Sequence, residues 1–334
     1  MSDYWNAYPE LKDTLFEDAD RPNYKKLRIP KEKIHETIIE SNEFKTFNAE
    51  MRTAYNTWWS SVDPSLQALQ TDCKPKELIK AISEGLLSSF NDKPLVDPYS
   101  LYQKLLNYWN DTMQDDLYLI SGDGWKAETY RIVETKNNKK VDKGWTCDLL
   151  PKELIVEAYF KDEQDSLNQL KAKLESAESE MAEMKEENGG EDGCFEDETG
   201  PSKASVIKRI KELKEEDSDE GVEILTQYLQ LVEEKAATSK SIKTKEKSLD
   251  KKLLEHYPKL DEKSIRDLAI NSKWKPSIKT LIEPDIEAVS QTLAERIELL
   301  ADRYESPLPY INQRTDDLES KVERHLQSMG FVWK

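Results

Sequence analysis

The chain contains few of the residues from which metal sites and disulfide frameworks are built. Its 334 residues include only three cysteines and three histidines. The cysteines (Cys73, Cys147 and Cys194) are odd in number and far apart, which predicts free thiols in a reducing compartment. No C-x-x-C or H-x-x-x-H spacing occurs, so the common zinc motifs are excluded. The sequence therefore predicts neither a metal site nor a disulfide scaffold.

Long apolar runs and an excess of positive charge are also missing. No apolar run approaches the roughly 18 residues that a membrane-spanning helix needs, and the first residues are acidic and aromatic, unlike a signal peptide. These absences predict a cytoplasmic protein that does not enter a membrane. The net charge of −18 disfavours general nucleic-acid binding by this chain alone, because phosphate backbones are also negative.

The best candidate for a cofactor-binding loop lies in LYLISGDGWKA. Gly122, Gly124 and Ala127 form a G-x-G-x-x-A frame after an apolar run that reads as a strand. A dinucleotide or S-adenosylmethionine site requires a helix next, but the following AETYRIVET alternates like a strand. We therefore interpret the frame as a turn between two strands. No histidine is paired locally with a cysteine or serine, so the sequence assigns no catalytic, cofactor-binding or metal-binding residue.

Hydrophobic spacing predicts a mainly α fold. Residues 1–116 read as a helical region, and residues 117–150 as a small β element with strands at LYLI, TYRIVET and GWTCDL. One helix of the first region has an aromatic stripe, which predicts core packing rather than a base-stacking platform. The stripe consists of Phe44, Phe47, Met51, Tyr55 and Trp58.

Residues 151–257 predict an antiparallel coiled-coil hairpin with an acidic, flexible loop at about 185–204. Apolar residues three and four apart form one seam on each arm, and Lys235 and Ser239 interrupt the second. The first seam is Leu167, Leu170, Leu174, Ala177, Met181 and Met184; the second is Leu225, Tyr228, Val232, Ile242, Leu249 and Leu253.

Residues 258–334 predict a C-terminal docking region with two amphipathic helices, and Gly330 is predicted to end the last of them. Such stripes pack either on the chain itself or on a partner, and the sequence leaves both alternatives open. Phe331 and Trp333 add large apolar side chains beyond the last helix. The candidate docking residues are Ile286, Val289, Leu293, Leu318, Val322, Leu326, Met329, Phe331 and Trp333.

A basic cluster in RPNYKKLRIPKEK is the best candidate for contact with a DNA backbone in this otherwise acidic chain. The alternative is an ordinary solvated surface, which is the more common role of a run of charges. The cations are Arg21, Lys25, Lys26, Arg28, Lys31 and Lys33.

Several long stretches resemble the C-terminal part of the M subunits of type I restriction–modification systems, which are adenine-N6 DNA methyltransferase subunits. They are YWNAYPELKDTLFE, LVDPYSLYQKLLNYWNDTMQDDLYLISGDGW, SQTLAERIELLADRYESPLPYI and VERHLQSMGFVWK. The resemblance covers most of the chain and is weakest in the acidic loop at 185–200. It implies a partnership with the specificity (S) subunit, which reads the DNA sequence, through the C-terminal helices.

The chain departs from this family in lacking its catalytic motifs. Family members have an upstream glycine-containing S-adenosylmethionine motif and an N-P-P-F/Y motif that holds the flipped adenine. No two prolines are adjacent here, so the second motif is absent. The resemblance thus implies a region that follows the catalytic domain and is inactive alone. S-adenosylmethionine is expected in the complete complex, together with the catalytic portion of the M subunit, the S subunit, the restriction subunit and DNA.

Two alternatives remain open at the level of sequence. In the first, the chain is half of a methyltransferase that becomes active when a separate catalytic fragment is supplied in trans. In the second, it is a free-standing coiled-coil scaffold that self-associates through the seam at 167–184 and has no affinity for an S subunit.

Overall fold

The structure is a computed structural model that describes residues 2–18, 25–136, 139–189, 195, 203–215, 219–304 and 308–331. Contacts divide the chain into two compact units. The first unit comprises Met1–Gly124 and Trp274–Lys334, and the second comprises Trp125–Lys273. These units differ from the four consecutive segments expected from the sequence, because residues 274–304 belong with the N-terminal helices.

Helices form most of the described chain, which confirms the predicted mainly α fold with a small β insertion. The first half contains α1 (Ser2–Ala7), α2 (Pro9–Leu15), β1 (Phe16–Asp18), β2 (Lys25–Leu27), a 3-10 turn (Lys31–Lys33), α3 (Ile34–Glu40), α4 (Asn42–Gln67), α5 (Pro75–Phe90), α6 (Pro98–Tyr108), a π-helical turn (Trp109–Met113), α7 (Gln114–Asp123), β3 (Tyr130–Lys136) and β4 (Lys139–Thr146). The second half contains α8 (Lys152–Tyr159), α9 (Lys161–Glu187), α10 (Lys203–Glu215), α11 (Asp219–His256), a 3-10 turn (Tyr257–Lys259), α12 (Glu262–Asp267), a π-helical stretch (Leu268–Trp274), α13 (Lys275–Tyr304) and α14 (Leu308–Ser328).

Helix α4 is the centre of the first unit, and its aromatic stripe is buried, as the spacing predicts. The helix begins at a cap, because the Ser41 side chain accepts a hydrogen bond from the Phe44 N–H at 3.2 Å. All five residues of the stripe are less than a tenth exposed. Helices α5 and α13 pack on this helix, so the stripe belongs to the core.

The strand predicted at LYLI is wrong: these residues are helical and lie in α7. Leu117 and Ile120 are buried, whereas Tyr118 and Leu119 between them are exposed. This three-residue spacing matches one face of a helix, but so short an apolar run does not separate helix from strand. Gly124, at φ +78°, ends the helix, so the glycine-containing frame is a helix terminus and not a turn between strands.

The β insertion consists of an antiparallel hairpin, in which β3 pairs with β4. A second small antiparallel pair, β1 with β2, occurs near the N-terminus and was not expected from the sequence. Both are two-stranded, so neither forms a sheet with a core of its own.

The long helices of the second unit form the predicted antiparallel pair. The Nζ atom of Lys252, near the end of α11, lies 3.0 Å from the Glu163 carboxylate near the start of α9. The Nζ atom of Lys235, earlier in α11, lies 2.8 Å from the Glu178 carboxylate farther along α9, so the two helices run in opposite directions. The seams expected on both arms are buried or half-buried. Thr238, which lies between the interrupting residues Lys235 and Ser239, is buried.

Most of the acidic loop expected at 185–204 lies outside the described residues, but its Phe195 is described and is buried. Phe195 contacts the ring of Tyr228 at a centroid distance of 5.0 Å. Val206 and Leu213 of α10 and Leu225 of α11 complete this cluster. An aromatic anchor therefore lies within a segment whose composition predicts only a solvated loop.

None of the helices in the described ranges has the length and apolar character that a membrane span requires.

Candidate functional site

Helix α14 presents an apolar face to solvent. Leu318 is 52% exposed, Val322 56%, Met329 70% and Phe331 61%. These side chains follow the spacing of three and four residues that places them on one side of the helix axis, and Leu326 among them is half-buried. Trp333, the last candidate docking residue, lies outside the described residues. We call the described set (Leu318, Val322, Leu326, Met329 and Phe331) the α14 face.

Gly330 ends this helix in the manner that the sequence predicts. Its φ of +85° is the left-handed conformation that glycine adopts without steric cost. The Phe331 N–H donates to the Leu326 carbonyl at 2.9 Å, which is the wrapping bond of a Schellman motif. The motif fixes Phe331 directly beyond the last turn, so the aromatic side chain extends the α14 face.

In the described part of the chain, no other element packs extensively on α14. A helix of a stable globular protein normally buries its apolar stripe, because that burial contributes most of its stability. Apolar residues grouped on one exposed face are characteristic of protein interaction sites. The α14 face is therefore the strongest candidate for a docking surface in the first unit.

The stripe predicted on the preceding helix does not share this exposure. Ile286, Val289 and Leu293 of α13 are 8%, 4% and 0% exposed. Helix α13 packs on α3, α4 and α6 of the same unit, so these residues lie in the chain's own core. The prediction that they form a docking surface is corrected accordingly: their stripe is already covered and is not available to a partner.

Polar contacts also hold α13 in this core. The Asp285 carboxylate accepts hydrogen bonds from Lys104 at 2.5 Å and Ser100 at 2.7 Å, both on α6. The Tyr55 hydroxyl donates to the Lys275 carbonyl at 2.8 Å. The burial of the stripe continues to Ile297, but Tyr304 near the end of the helix is 56% exposed.

Three of the six cations in the basic cluster form ion pairs with carboxylates of the same chain. Lys25 pairs with Asp18 at 2.8 Å and Lys26 with Glu17 at 3.2 Å, because β1 and β2 place these residues opposite each other. Lys31 pairs with Asp302. Arg28 and Lys33 are exposed, and Arg21 lies outside the described residues. Exposed ion pairs are weak, but they offset the field that would attract a phosphate backbone.

The two described cysteines lack the features of a nucleophile. Burial raises the pKa of the Cys147 thiol, and it also raises the pKa of Cys73. A raised pKa leaves little of the reactive thiolate at neutral pH. Cys194 lies outside the described residues. Where side chains are described, no group of three histidine, cysteine or acidic residues is placed to hold a metal ion.

A polar cluster in the second unit brings together residues that the sequence did not single out. Asp250 of α11 accepts a hydrogen bond from the Trp145 indole at 2.9 Å and one from the Lys152 ammonium at 2.8 Å. Burial opposes ionisation of Asp250, but these two hydrogen bonds lower its pKa below the usual value. Its oxygens are already occupied, so the cluster attaches β4 and α8 to α11. The partners are about a hundred residues apart in sequence, which conceals the cluster from sequence inspection.

His256 at the end of α11 is expected to make the second unit sensitive to acid. Its ring lies 4.5 Å from that of Tyr159 and 5.4 Å from that of Phe160, and its Nε2 is buried without a hydrogen-bond partner. Burial, with a smaller contribution from Lys259, lowers its pKa below 6.5. Because the unfolded chain then takes up the proton at higher pH, the free energy of unfolding is expected to fall as the pH drops from about 7.5 to about 5.5.

The measurement is urea unfolding of the full chain at these two pH values, for the native protein and for His256→Gln. The substitution is expected to flatten the pH dependence. His325→Gln, at an exposed position of α14, is the matched control. Equal slopes for the native protein and His256→Gln would assign the acid sensitivity to other groups.

Comparison with protein-family models, with characterised proteins and with solved structures finds no match to this chain.

Proposed function

We propose that this chain is the assembly portion of a type I restriction–modification M subunit and that it docks on the helical spacer of an S subunit through the α14 face. The observation that carries the proposal is the exposure of Leu318, Val322, Met329 and Phe331 on one side of a helix. Helices that bind in bundles use apolar anchors at this spacing. The word-like resemblance of the C-terminal stretches to the M-subunit family supports the choice of partner.

In this proposal the chain has no catalytic role by itself. The catalytic portion of the M subunit binds S-adenosylmethionine and the flipped adenine, the S subunit selects the DNA sequence, and the restriction subunit joins the complete complex. DNA is a partner through that complex. The contribution of this chain is to bind the S subunit and so to hold the catalytic portion in position relative to the DNA sequence that the S subunit reads.

The substitution Leu318→Asp with Val322→Asp tests the α14 face. It is expected to abolish binding to the S subunit, because two carboxylates would have to be desolvated at the interface. The isolated chain is expected to stay folded, since both side chains are more than half exposed. The measurement is co-expression with the S subunit of the same system, followed by the mass of the co-eluting complex from light scattering.

The matched control is Ser320→Asp with Gln327→Asp, which adds the same charge to exposed positions on the opposite side of α14. This control is expected to retain the complex. Loss of binding in both variants would indicate a general charge effect. A native chain that elutes without the S subunit would remove the basis of the proposal.

The trans-complementation alternative is tested with the same preparation. Adding the catalytic portion of the M subunit to the complex of this chain with the S subunit should give adenine-N6 methylation of DNA. Methylation that requires all three components would extend the proposal to the enzyme, and tight S-adenosylmethionine binding by this chain alone would contradict it.

The coiled-coil scaffold is the weaker candidate because its seam is already occupied. Leu167 and Ala177 are buried where α9 packs on α11 of the same chain. Ion pairs such as Lys171 with Glu246 at 2.8 Å flank that contact. Self-association through the seam at 167–184 would require the two helices to separate first.

A further inference from the structure

The second half of α11 is strongly basic within an acidic chain. Residues 235–252 contain seven lysines and two acidic residues, although the chain as a whole has a net charge of −18. This segment was not singled out by motif, because its lysines alternate with seam residues of the helical pair. The structure shows which of these lysines contact α9 and which face solvent.

Three of the seven lysines contact α9. Lys235 pairs with Glu178, Lys252 pairs with Glu163, and Lys245 donates to the Ser166 hydroxyl. These contacts use the edges of the interface between α9 and α11, as is usual for charges that flank a helical seam.

The other four lysines, Lys240, Lys243, Lys247 and Lys251, lie three or four residues apart on the solvent side of α11. We call them the lysine stripe. All four are exposed, and the ion pairs found among the described residues do not use Lys240, Lys243 or Lys247. Lys251 has a single partner, Glu255, at 3.8 Å, and its side chain is 78% exposed. The stripe runs about 17 Å along the helix at roughly 1.5 Å per residue.

Two acidic residues lie between the first and last lysine of the stripe, and both are already paired: Glu246 with Lys171 of α9 and Asp250 with Lys152 of α8. No large apolar residue in this interval is exposed. Ala236 and Thr244, both exposed, lie on this side of the helix. The opposite side carries Ile242 and Leu249, which are buried in the seam. A helix that lies on a membrane needs bulky apolar residues next to its lysines, and this face has none in that interval.

We propose that the lysine stripe binds the phosphate backbone of duplex DNA without reading the sequence. A row of like charges on one rigid helix is complementary to a polyanion whose charges repeat at short intervals along a line. Lysine makes point-charge contacts with phosphates, whereas base recognition relies on arginine, asparagine or glutamine, which this face lacks.

This inference goes beyond S-subunit docking and does not rest on it. The lysine stripe lies in the second unit and the α14 face in the first. DNA binding by the chain alone and complex formation with the S subunit are therefore separate measurements, and either is able to fail without the other.

The test is fluorescence anisotropy of the full-length chain with a labelled duplex of about 30 base pairs, at several salt concentrations. The stripe variant changes all four lysines (Lys240→Gln, Lys243→Gln, Lys247→Gln and Lys251→Gln). If four phosphates are contacted, raising the salt from about 50 to about 200 mM weakens native binding roughly a hundredfold. The stripe variant is expected to lose at least about tenfold in affinity and most of this salt dependence.

The matched control removes the same charge from the basic cluster of the first unit, with Lys25→Gln, Lys26→Gln, Lys31→Gln and Lys33→Gln. It is expected to bind DNA like the native chain, because three of its four lysines already pair with carboxylates. Circular dichroism checks that both variants remain helical, as expected for exposed positions.

Three results would overturn the proposal. The first is no DNA binding by the native chain at low salt, and the second is an equal loss in the stripe and control variants. The third is tighter binding to vesicles that contain phosphatidylserine, or to poly-glutamate, than to the duplex. The last result would assign the stripe to a lipid surface or to an acidic protein instead.

Discussion

Leu293→Asp is expected to unfold the first unit, whereas Leu318→Asp is expected to leave it folded. The two leucines occupy equivalent places in two amphipathic stripes that look alike in the sequence. Leu293 of α13 is fully buried, and Leu318 of α14 is 52% exposed. A carboxylate at position 293 would be desolvated without a partner, which costs several kcal/mol. At position 318 it would remain in water.

The expected loss at position 293 is large relative to the stability of a domain, which is about 5–15 kcal/mol. Leu293 is a fully buried residue of α13, the helix that packs on α3, α4 and α6, so a charge there is expected to disturb the core that these helices share. The substitution also removes the transfer free energy of a buried leucine, about 1.5–3 kcal/mol.

Circular dichroism and urea unfolding of the two variants measure this contrast, and Leu293→Ala serves as a milder control. The alanine variant is expected to lose about 2–5 kcal/mol of unfolding free energy. A folded Leu293→Asp chain with an unchanged urea midpoint would place α13 outside the core. It would also return Ile286, Val289 and Leu293 to the docking candidates.

Trp58→Ala is expected to destabilise the first unit by about 3–5 kcal/mol. Trp58 is 1% exposed, and its indole N–H donates to the Ile82 carbonyl at 3.0 Å. Its ring lies 5.5 Å from that of Tyr55 and 5.9 Å from that of Trp59. The alanine would leave a cavity between α4 and α5 and remove the hydrogen bond that joins the two helices.

The conservative variant Trp58→Phe separates packing from hydrogen bonding. It keeps an aromatic ring but lacks the indole N–H, while the Ile82 carbonyl keeps its helical hydrogen bond within α5, so a loss of about 0.5–1.5 kcal/mol from the missing bond is expected. Urea unfolding measures both variants, and DNA binding is followed in parallel. A base-stacking platform would show the reverse pattern, with weaker DNA binding and a stability within about 0.5 kcal/mol of the native chain.

Local sequence signals determine a helix boundary where it has a simple steric cause. Helices α5 and α6 begin at Pro75 and Pro98, as expected for a residue that lacks an N–H and has a fixed φ. Gly330 ends the last helix because it adopts a positive φ at no steric cost. These choices depend on one residue and its immediate neighbours.

The strand predicted at LYLI failed because four apolar residues do not define a period. As a helix, α7 buries both Leu117 and Ile120 in the core of the first unit, and this burial favours the helix over a strand. The burial of Phe195 could not be predicted from the sequence for the same reason. The acidic residues around it predict an exposed side chain, but α10 and α11 provide an apolar site that buries it. Only the packed neighbours distinguish the alternatives.

The sequence by itself determined that the chain is mainly helical, that its long arms pair in antiparallel order, and that its two C-terminal helices are amphipathic. The tertiary structure alone decided that the stripe of α13 is covered and the α14 face is not. The physical reason is that periodicity records which side of a helix is apolar but not what packs against it. The helices on which α13 packs (α3, α4 and α6) all end by Tyr108, far beyond the reach of any local pattern.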